Sequence, residues 1–473
     1  MSMFRRHCRP LIVAIAATFA TTAVALPVQA EPSVHEFALD NGMKVLVKPD
    51  SRAPVVVSQL WFPVGSSHER PGETGISHIL EHMMFKGTEN RETGEFSRTI
   101  SREGGRLNAF TGRDFTGYYE ELQADRLEVA LELEADRLAN IRFDENEFER
   151  EMEVVREERR QRVDDNPLGL GSERFNALAW ATSAYRQPII GWAEDLDSIT
   201  LDDVRDWYEK FYGVNNATLV VVGDVDPEAV HDLARKHFGP LEPRPAPEAR
   251  SHGEIEGLGE RRARLRIENA TPFLLMGYHV PSLATADDSN DSHALSLLAS
   301  ILDGGKSARL PQRLVRDEEV ASSVSAGYRG VARLDTQFTL SGRPPPAGSL
   351  DDLEQALRTE VERIIDEGVS EEELERARIQ ARADYVYRMD SLSSQAMQIG
   401  LLETTGIGWE VMDTFEEAIA AVTREDIQSV AERYLVDNRL TVVHIEPRGE
   451  ISPMPIPGQG PADTPTPPND TGY

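Results

Sequence analysis

The feature that most constrains the fold of this 473-residue chain is that part of it is written twice. Ile199 to Val220, ITLDDVRDWYEKFYGVNNATLV, aligns without gaps on Val422 to Val443, VTREDIQSVAERYLVDNRLTVV, at an offset of 223, with Thr200/Thr423, Asp203/Asp426, Glu209/Glu432, Asn215/Asn438, Thr218/Thr441 and Val220/Val443 identical. Upstream, FDENEFER (Phe143 to Arg150) meets VSEEELER (Val369 to Arg376) at an offset of 226. Two matches in nearly the same register imply two homologous halves. In both copies Thr followed three residues later by Asp marks a helix start: the hydroxyl accepts a free backbone N–H and the carboxylate favours the positive end of the dipole. Apolar or alternating runs at Lys44–Val47, Val55–Phe62, Ala217–Val222, Pro272–His279 and Leu440–Ile445 read as strands among helix-period stretches. The expected fold is α+β: two homologous domains, each a mixed or antiparallel sheet backed by helices.

The expected boundaries are a first domain over 31–240, a linker over 241–261 rich in proline, glycine and charge, and a second domain over 262–447. A proline-rich tail over 448–473, with almost no apolar periodicity, is expected to be disordered. Residues 1–30 have the layout of a secretory signal peptide: Arg5, Arg6 and Arg9, an apolar run from Leu11 to Leu26, then Val28-Gln29-Ala30. The apolar run is shorter than the roughly 20 residues of a membrane span, so no stable span is expected in the mature chain. Cys8, the only cysteine, leaves with the leader, so disulfides play no part in the mature chain; a bacterial periplasm fits best.

With 50 Lys and Arg against 81 Asp and Glu, the formal charge is −31, and removal of the leader's three arginines takes it to −34. A chain this acidic repels polyanions unless it carries a basic stripe, and none is evident, which argues against nucleic acid as a partner.

The chemistry lies in the first half. In GISHILEHMMFKGT, from Gly75, His78, Glu81 and His82 form H-x-x-E-H. On a helix, residues four apart share a face, so two imidazoles can converge on one ion with Glu81 beside them. Catalytic zinc takes three protein ligands and keeps a fourth position for a water that Glu81 would deprotonate. Two partly buried histidines on an amphipathic helix are the bland alternative. A third ligand is needed, and on the long helix expected over Phe143–Arg162, Glu151 and Glu158 share a face. At the offset of 226 these fall on Ala377 and Asp384, and LSLLASIL (Leu295–Leu302), where the partner of the H-x-x-E-H helix is expected, has no metal ligands. Residues needed for folding should persist in both halves; those in one half only are better candidates for chemistry.

H-x-x-E-H with HMMFKGT, then GGRLNAFTGRDFTGYY (Gly104–Tyr119), then E-x-x-V-V-x-x-E (Glu151–Glu158), resembles the inverted-zincin peptidases of the pitrilysin and insulinase family. Within it, the chain is most similar to the short two-domain bacterial relatives of mitochondrial processing peptidase. The resemblance runs from about residue 34 to 447. It implies one zinc ion on His78, His82 and Glu158, with Glu81 as general base and Glu151 holding a ligand histidine; Glu157 is one residue short of the family spacing. It also implies that the strand carrying Asn108 and Ala109 pairs with an extended peptide substrate, and that short or unfolded peptides are hydrolysed in an enclosed chamber. The family's second half usually supplies an Arg with a Tyr seven residues on, reaching the opposing half's substrate. Here Arg316 is in place after Asp303-Gly304-Gly305 and Ser307-Ala308-Arg309-Leu310, but Ser323 stands where the tyrosine is expected, and a one-residue deletion gives Ser322. This resembles the catalytic member of a heterodimer whose zinc-less paralogue supplies the pair, with a homodimer as the other arrangement. A non-catalytic assembly or peptide-binding subunit is the rival function, since the fold also serves that role.

Overall fold

The computed structural model describes residues 34–245, 253–255, 257 and 259–449. The expected leader (1–30), part of the linker and nearly all of the tail lie outside the described residues.

All five runs read as strands lie in strands, to within a residue, and six further strands join them among the described residues. In the first half these are β1 (His35–Ala38), β2 (Lys44–Pro49), β3 (Val55–Phe62), β4 (Arg106–Thr111), β5 (Thr116–Gln123) and β6 (Thr218–Gly223). The second half has β7 (Arg261–Ile267), β8 (Phe273–Val280), β9 (Ser323–Tyr328), β10 (Thr336–Arg343) and β11 (Leu440–Pro447). The sheet orders are β1-β2-β6-β3-β5-β4 and β7-β11-β8-β10-β9, so apart from β1 the second sheet repeats the first. The parallel pair recurs too: Lys44 faces Thr218 and Arg261 faces Thr441, the two threonines that the repeat aligns. Thr200 and Thr423 each accept the N–H of an aspartate three residues on, whose carboxylate returns the bond, opening helices Leu201–Phe211 and Arg424–Tyr434.

Seven of the eight β3 residues are buried, as suits a strand covered on both faces. One face of the first sheet packs on that half's own helices. Its other face, with Leu46, Val57, Trp61, Val220 and Val222, is covered by Ala396, Ile399 and Leu402 of a second-half helix, Leu392–Thr404. The second sheet is covered reciprocally: Val443 and Ile445 pack with Phe175 and Ala179 of the first-half helix Pro167–Ala179. Both crossing helices approach through glycine. A Cβ on Gly400 would stand 2.0 Å from the Trp61 indole, and one on Gly171 would stand 2.2 Å from Ile445. The β4–β5 turn adds a polar tie, with Asp114 accepting from Ser67 Oγ (2.8 Å), Arg333 Nε (3.3 Å) and the Tyr185 hydroxyl.

Candidate metal centre

His78, Glu81 and His82 lie on the helix Ile76–Met83, whose Ile76, Ile79, Leu80 and Met83 enter the core and leave the other side to the polar three. The helix begins at Gly75, with φ +93, a conformation costly for other residues; a Cβ there would also stand 2.7 Å from the Ile190 carbonyl. A glycine has no side chain to cap the helix. Glu69, buried under the N-terminus, does so, its two carboxylate oxygens accepting the N–H groups of Gly75 (2.8 Å) and Ser77 (2.9 Å). Burial pushes its carboxyl up to about 7, against the pull of those two bonds.

Glu151 and Glu158 lie on the helix Glu145–Arg159, capped by Asp144, and both face the histidines. Glu158 Oε2 lies 3.7 Å from His78 Nε2 and 3.6 Å from His82 Nε2. These three could hold a metal ion. The separations are too long for hydrogen bonds and close to the spacing of about 3.3–3.4 Å that tetrahedral ligands at about 2.0–2.1 Å from zinc require. Burial, with His82 and Arg162 adding to it, holds His78 down to about 3, so its imidazole is neutral, as a ligand must be. Glu151 instead meets the far side of His82: its Oε2 is 3.0 Å from Nδ1, and its Oε1 receives Lys86 Nζ at 2.6 Å. Glu157 is exposed and paired with Arg160 and Gln161.

Glu81 is partly buried beside these groups, and Thr111 Oγ1 donates to its Oε2 at 2.5 Å. Desolvation raises its pKa, opposed by the Thr111 bond and by His82. These residues, with Asn108–Thr111 of β4 and Arg186–Ile190, line a cleft of about 690 Å³. β4 is a sheet edge, and the Ala109 N–H is bonded to Asn108 Oδ1 (2.9 Å) rather than to β5. Arg316 is not brought here: it lies in the helical turn Pro311–Asp317, bonded to Gln312 and the Lys306 carbonyl. Tyr328 is committed elsewhere, its hydroxyl donating to the Pro281 carbonyl (2.7 Å) and accepting from the Ser292 hydroxyl (2.9 Å).

At the equivalent place in the second half, Ala377 is buried and Asp384 is bonded to Gln380. A second His/acid group, Asp351, Glu354 and His444, is an ion-pair network: Glu354 binds Arg262, Arg358 and His444, and Asp351 binds Arg264. Sequence reasoning missed Thr111, Glu69, Lys86 and the wall from Arg186 to Ile190. Thr111 falls within the Gly104–Tyr119 stretch, but nothing in a strand's own sequence says which helix residue it will touch.

Residues 44–191 match the family model described as insulinase (peptidase family M16), and residues 198–381 match the one described as the peptidase M16 inactive domain. The chain belongs to this family, related to its short bacterial members. Zinc protease PqqE of Helicobacter pylori is 29% identical over 88% of this chain and 93% of its own length. The probable mitochondrial-processing peptidase subunit beta of Arabidopsis thaliana is 28% identical over 88% of this chain and 79% of its own. The crystal structure of a protease from Helicobacter pylori superposes with a TM-score of 0.82 at 28% identity, covering 88% of this chain and all of that one.

Proposed function

We propose that the chain is a zinc-dependent endopeptidase acting on short or unfolded peptides, with His78, His82 and Glu158 holding one ion and Glu81 as general base. The observation that carries this is the convergence of Glu158 Oε2 on His78 (3.7 Å) and His82 (3.6 Å), with all three ligand atoms within 4.8 Å of one another, beside a carboxylate bonded by Thr111. Zinc held there supplies Lewis acidity, which draws the pKa of a water towards about 7. The chain's own part is proton handling and positioning. Thr111 occupies one oxygen of Glu81 and leaves the other to take a proton from the attacking water and deliver it to the leaving amine. Burial raises the proton affinity of Glu81, which suits a base that must hold that proton between the two steps. An extended peptide would add to the open edge of β4 and take over the Ala109 N–H from Asn108.

The names of the relatives, a zinc protease and a processing-peptidase subunit, support this activity. Arg316, away from this chain's cleft, would serve a site across an assembly, and the missing tyrosine favours a zinc-less paralogue as partner over a second copy. The sequence pattern of 1–30 supports export to the periplasm, and no described helix is long and apolar enough to cross a membrane. In this organisation the first domain holds the metal and the second is a non-metal scaffold.

The test is cleavage of a mixed pool of unstructured peptides by the zinc-loaded chain beside Glu81→Gln. Cutting that disappears in the variant, at unchanged zinc content, is expected. A folded, zinc-loaded wild type that cuts nothing, with or without a co-purified paralogue, would favour the non-catalytic assembly or peptide-binding role. Co-purification of the chain only with itself would remove the heterodimer.

A further inference from the structure

Arg186 and Gln187 line two spaces at once, the cleft and a second cavity of about 520 Å³ adjoining it. The second cavity is walled by Ser67–Pro71, by Ala181–Gln187 without Tyr185, and by Lys210 and Phe211. Its charge runs against that of the molecule. Among the described residues that line it are Arg70, Arg186 and Lys210, and the one acid among them, Glu69, is turned under the helix that begins at Gly75. Arg70 and Arg186 are exposed, and among the described residues neither side chain makes a hydrogen bond or ion pair, in a chain where acids outnumber bases 81 to 50. Lys210 lies over the Phe211 ring at 4.6 Å. His68, inside the wall, is held down to about 4 chiefly by burial, with Arg333 lowering it and Asp114 opposing, so it adds no charge to the cavity.

The rim already binds one carboxylate. Glu254 Oε2 accepts three consecutive backbone N–H groups, from Ala181 (2.9 Å), Thr182 (3.2 Å) and Ser183 (3.1 Å). Such a run of N–H groups is an anion nest. With the nest occupied from within the chain, the donors left for an incoming anion are the arginine side chains, whose planar forks match a carboxylate.

We propose that this cavity is a subsite for a carboxylate of the peptide lying in the cleft, gripped by Arg186 and Arg70 with Lys210 beside them. The chain then selects peptides bearing an acidic group at a fixed distance from the bond cut, although its own net charge disfavours them. The inference rests on the peptidase reading of the adjoining cleft. The carboxylate can be an Asp or Glu side chain or the peptide's own C-terminus, and the test separates the two.

A single Glu is walked through an otherwise neutral labelled peptide. Each peptide has a Gln twin, and each is made with a free and an amidated C-terminus. Binding to the zinc-loaded Glu81→Gln chain is read by anisotropy, and cleavage is read with the wild type. One register of Glu, or the free C-terminus, is expected to bind about tenfold better than its neutral twin, as hydrogen bonds to a charged group allow. That ratio is expected to fall towards one in Arg186→Gln, in Arg70→Gln and at high salt. Both arginines are exposed, so each substitution is compatible with folding. Equal binding of all twins, no binding of any, or a ratio that survives both substitutions overturns the subsite. Discrimination in binding without cleavage by the wild type overturns the peptidase reading alone.

Discussion

The two imidazoles of the site are held by different means. His82 is oriented through Nδ1 by Glu151, which Lys86 anchors in turn, whereas His78 Nδ1 is buried with no hydrogen-bond partner among the described residues and depends on packing. Carboxylates that orient a ligand histidine typically contribute about 10–100-fold to metal affinity. Glu151→Gln is therefore expected to weaken zinc binding by roughly that factor in competition with a chromophoric chelator. An unchanged affinity would mean that packing orients His82 as well. Thr111→Val frees Glu81 from its only side-chain hydrogen bond among the described residues, and kcat is expected to fall about tenfold at unchanged zinc content, the scale of a bond to a charged group. The candidate ligands were legible because helical spacing alone puts His78 and His82 on one face. Thr111 was not, because its role depends on β4 crossing that helix at one height.

At the scale of the element, helix starts do much of the positioning. The boxes at Thr200 and Thr423 occupy equivalent places in the two halves, and Thr200→Ala and Thr423→Ala are each expected to cost about 1 kcal/mol in chemical denaturation. They sit in separate halves, so the double substitution should add; a marked departure would show that the two helix starts are coupled. Ser370 and Glu373 open the helix Glu371–Met389 in the same way, and Arg309 clamps the carboxylate at 2.7–2.8 Å. Burial alone would raise the Glu373 pKa, but the Arg309 and Ser370 bonds outweigh it and hold it at about 2, below its usual 4.5. A lowered carboxylate pKa gives stability that is complete above the unfolded value and lost as pH falls through the folded one. Between pH 4.5 and 2, Glu373→Gln should therefore show a shallower loss of stability than the wild type, and equal slopes would assign the acid sensitivity to other groups. The capping boxes are local patterns and could be read directly. Glu69, which caps the Gly75 helix from six residues upstream, could not, because the intervening loop has no fixed geometry.

For the whole molecule, each half supplies a helix that seals the other's sheet, so neither sheet is fully covered by its own half. A single cooperative unfolding transition is expected. Gly400→Ala drives a methyl into the rigid Trp61 indole and should cost about 1–3 kcal/mol, the usual range for overpacking a filled core. Gly171→Ala meets the flexible end of Ile445 and should cost less. Calorimetry showing two separated transitions, with only one moved by Gly400→Ala, would contradict reciprocal sealing.

The sequence by itself determined the positions of five of the eleven described strands, the duplicated α+β plan, the helix starts at Thr200 and Thr423 and the pairing of His78 with His82. Each follows from periodicity or from contacts within a few residues, which local sequence encodes. Helical spacing left Glu151 and Glu158 open, and the family resemblance implied their roles; only the tertiary structure decided that Arg316 lies away from the cleft and that Arg186 joins the cleft to a basic cavity. Those outcomes depend on how the helices cross and which loops meet. Long-range packing fixes that geometry, and no spacing along the chain records it.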